Sequence, residues 1–200
     1  MTRPRNLVLV GFMGSGKTAI GRCVAPRLGL RFVDLDEVIV AGAGKSILDI
    51  FRDAGEPEFR RLERDAVRRV AAGSGQVIAP GGGAVINAQS WKLLGEGNVV
   101  VRLDASPRAL LRRIRRREER RDSSGARPRD IRPLADVPSG AGRWPTGARR
   151  RVLDLMRERE ELYVRAPHTV NTTGRSRAET CRAVASLARD QGLAAVSAVA

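Results

Sequence analysis

Histidine is nearly absent from this chain. His168 is the only one among 200 residues, which argues against an imidazole-based catalytic triad or a histidine zinc site. Cysteine is almost as scarce. Cys23 and Cys181 lie far apart on segments with helical periodicity, so each is expected to be a small core residue rather than half of a disulfide, and a reducing cytoplasm fits. No apolar run approaches the ~20 residues of a membrane span. Glycine and lysine break the first apolar stretch before it can act as a secretion signal. Aromatic residues make up 4% of the chain, too few for platforms on which single-stranded nucleic acid stacks. Lysine is rare as well. Only Lys17, Lys45 and Lys92 occur among 37 basic residues, the rest being arginine, and the net charge is +15. With so few aromatics, that charge predicts a surface that attracts small anions rather than a nucleic-acid partner. A cytoplasmic monomer acting on small molecules, with no membrane partner, is expected.

Against these absences one stretch carries chemistry. Gly11-Phe12-Met13-Gly14-Ser15-Gly16-Lys17-Thr18 follows the apolar residues 7–10 and fits G-x-x-x-x-G-K-[ST]. Its glycines let the backbone turn tightly and aim several N–H groups at one point. Lys17 can reach the outer phosphates of a nucleotide, and the Thr18 hydroxyl can ligate Mg²⁺. Residues 7–10 read as a buried parallel strand. Residues 19–28 read as a helix with Ile20, Val24 and Leu28 on one face. The positive end of that helix, at Ala19, adds to the attraction for phosphate.

Strands and helices alternate along the rest of the chain. Strands are expected at 31–34, 76–79, 98–103 and 169–171. Helices are expected at 38–41, 47–51, 58–72, from Ser106-Pro107 through the arginine run 112–121, at 149–164 and at 176–191. Ser46 is a candidate helix cap, and Pro57 suits a first helical turn. Residues 122–148, rich in Pro, Gly, Ser and Arg, read as a long loop. The alternation predicts a single α/β domain over 1–191, with a parallel sheet covered by helices on both faces and a frayed tail at 192–200. Ligands of such sheets bind outside the C-terminal strand ends. That places the phosphate loop, Asp34-Leu35-Asp36 and Gly81-Gly82-Gly83 on one rim.

Asp34 and Asp36 are two apart. On an extended segment they would face the same side, one holding Mg²⁺ through water and the other orienting or deprotonating a hydroxyl. A helix cap with a first-turn acid is the plainer alternative. Arg60, in Glu58-Phe59-Arg60-Arg61-Leu62-Glu63, matters only if it faces the rim, where its fork can grip a carboxylate. Otherwise it belongs to a solvated row of helix ion pairs. The three glycines leave room for a ligand against bare backbone.

In order and spacing, GFMGSGKT, DLD, EFRRLE, GGGAV, RPL and REREELY resemble the shikimate kinase family over nearly the whole chain. The resemblance implies a three-layer P-loop kinase fold of the nucleoside-monophosphate-kinase type, with a five-stranded parallel sheet and a closing lid at about 115–148. It implies transfer of the ATP γ-phosphate to the 3-hydroxyl of shikimate, with Mg²⁺, on the route to chorismate. By the same resemblance Lys17 binds the phosphates, Thr18 and Asp34 (through water) hold the metal, and Asp36 binds shikimate and acts as base. Arg60 and Arg159 would grip the shikimate carboxylate, with Gly81, Gly82 and Gly83 beside it and Phe51 and Phe59 lining the pocket. Arg132 would reach over the transferring phosphate. Gly14, Ser15, Gly16, Ala19, Arg113 and Arg175, in the turn 174–177, would complete the ATP site. Arg127-Pro128 offers a competing lid arginine, and the lid is longer than usual for the family. Gluconate kinase, or a non-catalytic nucleotide-binding module, are the alternatives.

Overall fold

The strand Asn6–Val10 (β1) is buried at every position, as a strand with neighbours on both edges and helices on both faces must be. In the computed structural model, which describes residues 4–124 and 147–193, β1 is the middle of a five-stranded sheet. The others are Arg31–Asp34 (β2), Gln76–Ala79 (β3), Val99–Asp104 (β4) and His168–Asn171 (β5), in the order β2-β3-β1-β4-β5. Every pairing is parallel, with Leu7 opposite both Val77 and Val99. The helices are Lys17–Leu28 (α1), Leu35–Ala43 (α2), Ile47–Ala71 (α3), Ala88–Gly95 (α4), Pro107–Ser124 (α5), Ala148–Val164 (α6) and Arg177–Asp190 (α7).

Alternation along β1 divides the core. Leu7 and Leu9 pack with Ile20 and Val24 of α1 and Val184 and Ala188 of α7. Val8 and Val10 pack with Ile50, Phe59 and Val67 of α3, Leu94 of α4, Leu110 of α5 and Val152 of α6. Each large side chain so buried contributes roughly 1.5–3 kcal/mol by leaving water. The parallel sheet covered on both faces that the alternation predicts, and the three-layer α/β P-loop kinase architecture that the resemblance implies, are what folds.

Local details differ from the sequence expectation in four places. The chain bends at Gly55, whose φ of 74° joins two helical segments into the long α3. Helix α4, capped by the Asn87 side chain, was not expected, because its eight residues are too short to establish a period. Helix α5 continues to Ser124, into the span read as lid and loop. The strand stops at Asp34, so Asp36 lies in the first turn of α2 and the extended i, i+2 spacing does not hold.

Cys23 and Cys181 are both free, but the packing of α1 on α7 makes them neighbours. Burial first, and then a hydrogen bond with Cys23, pushes the Cys181 thiol up to about 11. Leu193, just past α7, is buried. Among the described residues no helix is long and apolar enough to cross a membrane.

Candidate active site

All five strands point the same way, so their C-terminal ends share one rim. The phosphate loop leaves β1 there. Gly11, Gly14 and Gly16 have φ of 141°, 78° and 104°, values that side-chain-bearing residues rarely adopt. Gly16 precedes α1 and supplies no side-chain cap, so the first N–H groups of the helix remain to bind an anion. The Ser15 hydroxyl is buried within the loop without a hydrogen-bond partner among the described residues, as suits a cradle shaped for oxygen-rich ligands. Lys17 Nζ donates to the carbonyls of Gly11 at 2.7 Å and Phe12 at 3.2 Å, which holds its charge over the loop. Ala19, one turn into the helix, is exposed.

Thr18 Oγ1 donates to Asp34 Oδ2 at 2.8 Å. The other Asp34 oxygen accepts from the Asp36 N–H at 3.1 Å and caps α2. One carboxylate thus closes a helix, as the plainer reading of Asp34 expects, and also touches the first turn after the phosphate loop. Burial, followed by the nearby Asp36 charge, raises the Asp34 pKa despite the opposing bonds from Thr18 and the Asp36 backbone. A cation beside Thr18 and Asp34 would relieve that cost. The donors are hard oxygens, the set that suits Mg²⁺ when phosphates and water complete its shell.

Across the rim, Arg60 leaves α3 toward the glycine turn after β3. Its Nη1 donates to the buried Glu63 at 2.7 Å, and its Nε and Nη2 to Glu56. A Cβ on Gly83 would overlap Arg60 Nη1, so any side chain there requires the guanidinium to move. Arg60 thus makes helix ion pairs and also faces the rim, whereas Arg61 joins Glu58 and Asp65 in exposed pairs on the solvent side. From α6, Arg159 reaches the other side of the same turn. It is 8% exposed, and its Nη1 approaches the Gly82 carbonyl at 3.5 Å, beside the Tyr163 hydroxyl at 3.4 Å. Gly81–Gly83 therefore runs between two arginines contributed by helices far apart in sequence. Phe51 and Phe59 pack together nearby, their ring centroids 4.8 Å apart; Phe59 is fully buried in the core, and the Arg60 guanidinium lies 5.5 Å from its ring.

On the opposite flank Arg113 of α5 spans the phosphate loop and the segment after β5. It donates to the Gly14 carbonyl at 3.4 Å, to Thr172 Oγ1 at 2.9 Å and to the Thr172 carbonyl at 2.7 Å. Burial, with Arg112 beside it, lowers its pKa. Arg175 is exposed in the turn that follows, where its N–H bonds the Thr172 carbonyl at 3.4 Å. Arg127 and Arg132 lie outside the described residues.

The shikimate kinase family model matches residues 13–188. This chain belongs to the shikimate kinase family. Among curated relatives, a shikimate kinase from Geobacter metallireducens is 42% identical over 173 residues, covering 86% of this chain and 85% of its own. Among solved structures, a shikimate kinase from Acinetobacter baumannii in complex with shikimate superposes with a TM-score of 0.78 at 29% identity, covering 95% of this chain and 96% of its own. A gluconokinase from Sinorhizobium meliloti, at 18% identity and a TM-score of 0.53, shares the fold alone.

Several residues of this shikimate kinase's rim escaped sequence reasoning. Glu63 holds Arg60, and its signal was the i, i+3 spacing. Thr172 holds Arg113, and Tyr163 contacts the Gly82 carbonyl; neither had a local signal. Arg102 is 8% exposed on β4 and pairs with Asp104 and Glu160. A charge inside the run Val99-Val100-Val101 and Leu103 was its signal, because an arginine in a buried strand must be paired.

Proposed function

We propose that this kinase transfers the γ-phosphate of ATP to the 3-hydroxyl of shikimate, giving shikimate 3-phosphate and ADP for the synthesis of chorismate and the aromatic amino acids. The observation that carries the acceptor is the glycine turn flanked on its two sides by Arg60 and Arg159. Shikimate is an anionic polyol. Its carboxylate suits two arginine forks, and its hydroxyls suit a carboxylate and bare backbone.

In this reading ATP lies along Gly14, Ser15, Gly16, Lys17, Thr18 and Ala19, with its base near Arg113 and Arg175. Lys17 and the helix end neutralise the outer phosphates. Thr18, and Asp34 through water, would hold Mg²⁺, which would supply positive charge against the phosphate oxygens. Arg60 and Arg159 orient shikimate, Phe51 and Phe59 border its ring, and Gly81, Gly82 and Gly83 leave space beside it. Asp36 takes the proton from the 3-hydroxyl as its oxygen bonds the γ-phosphorus and the bond to the bridging oxygen of ADP breaks. Arg132 steadies the charge in transit. The chain supplies alignment and charge, most of what phosphoryl transfer asks of a protein. The enzyme is read as a cytoplasmic monomer with a single kinase domain over 1–191, whose basic surface draws in anionic substrates rather than nucleic acid or membrane.

ADP release measured with shikimate, with gluconate and with no acceptor tests the reading. ADP should form rapidly with shikimate alone. Equal release in all three reactions would refute it.

A further inference from the structure

Helix α6 carries Arg159, yet its hold on the sheet is divided between two strands. On one side Arg159 and Tyr163, one helical turn apart, approach the Gly82 carbonyl after β3. On the other, Glu160 Oε1 accepts from Arg102 Nη2 of β4 at 2.7 Å. The strand order places β1 and its phosphate loop between β3 and β4, so α6 is anchored on both sides of the loop.

The Arg102 anchor is built into the sheet. Arg102 occupies a buried strand, its side chain only 10% exposed, and the same Nη2 donates to Asp104 Oδ1 at 2.8 Å. Desolvation there weighs against the charge, but the bonds to Glu160 and Asp104 outweigh it and raise the Arg102 pKa. The guanidinium therefore stays charged. Arg102 and Glu160, with Asp104, Phe12, Met156 and Tyr163, line a cavity of about 260 Å³. Val152 and Tyr163 of α6 pack into the core beside β4, and the ion pair, half exposed at its Glu160 end, is the polar tie between that strand and the helix. Glu160 follows Arg159 directly, and successive helix residues are about 100° apart. Fixing one residue against β4 thus fixes the direction of the other toward the glycine turn.

We infer that Arg102 is a positioning residue for the acceptor site: through Glu160 it sets the rotation of α6 and so holds Arg159 against the Gly81–Gly83 turn. The inference rests on the reading of Arg159 as a shikimate-binding residue. It assigns a substrate-affinity role to a side chain that need not touch substrate.

Steady-state kinetics and nucleotide titration of Arg102→Met, Arg102→Lys, Glu160→Gln, Arg102→Met/Glu160→Gln and Arg159→Ala, with thermal melts, test it. Arg102→Met should raise the KM for shikimate about tenfold, the scale of coupling within one ion-pair network. Turnover at saturating shikimate and ATP binding to the free enzyme should stay within about twofold, because neither depends on α6 gripping the carboxylate. Arg102→Lys should restore most of the affinity, and the double variant should be no worse than the more severe single one. A melting temperature that falls while the shikimate KM stays put shows a merely structural arginine and overturns the inference. So does a parallel rise in the KM for both substrates. If Arg159→Ala raises the shikimate KM and Arg102→Met does not, the inference alone fails. If Arg159→Ala leaves it unchanged, the inference fails together with the assignment beneath it.

Discussion

Asp34 accepts the Thr18 hydroxyl at 2.8 Å while its second oxygen caps helix α2. A single carboxylate thereby ties the end of β2 to the first turn of α1. Its charge is costly here, as burial and then Asp36 raise its pKa.

Asp34→Asn tests the role of that charge. Asparagine caps helices as well as aspartate does, so the fold should survive, while Mg²⁺-dependent turnover should fall about 10–100-fold, as for outer-shell metal partners. The sign of the stability change follows from the raised pKa. Wild-type protein binds the Asp34 proton more tightly folded than unfolded, so this group favours folding below the ordinary aspartate range and loses that contribution as pH rises through the folded pKa. The variant should therefore melt higher than wild type at neutral pH, and the gain should vanish in acid. Melting curves across pH, beside activity at varied Mg²⁺, check both halves.

Lys17→Ala should remove most turnover, by about 10²-fold or more, because it strips a positive charge from the phosphates of the transition state. Loss of the bonds to the Gly11 and Phe12 carbonyls should loosen the loop only locally. Turnover within a few-fold of wild type would move the phosphate site elsewhere.

Arg60→Ala and Arg159→Ala should each raise the KM for shikimate about 10- to 100-fold, the loss of one charged fork. ATP binding to the free enzyme should hardly change. Gly83→Ala should imitate Arg60→Ala, since its methyl group occupies the place of Arg60 Nη1. Separate titrations with the two substrates decide. An alanine at 83 that leaves shikimate affinity intact would mean that Arg60 has another place to bind from.

Arg132→Ala should lower kcat by about 10³-fold, the scale of an arginine supplied to a transferring phosphate, with a smaller change in shikimate affinity. Arg127→Ala should behave like wild type. Single-turnover measurements on both variants separate them, and the reverse pattern would shift the lid register by five residues.

Much of this protein was decided locally and is legible in the chain. The phosphate loop is contiguous, and its glycines, Lys17 and Thr18 lie within one strand, one turn and one helix. The strand and helix periods imply a parallel sheet, and a parallel sheet brings Gly11, Asp34 and Gly81 to one rim whatever the details of packing. The meeting of Arg60 with Gly83, Arg159 with Gly82, Arg113 with Thr172 and Arg102 with Glu160 was decided only by tertiary structure. Periodicity assigns each side chain a face of its own element. Its partner depends on how far that element is shifted and turned against the sheet, and packing between residues distant in sequence sets both.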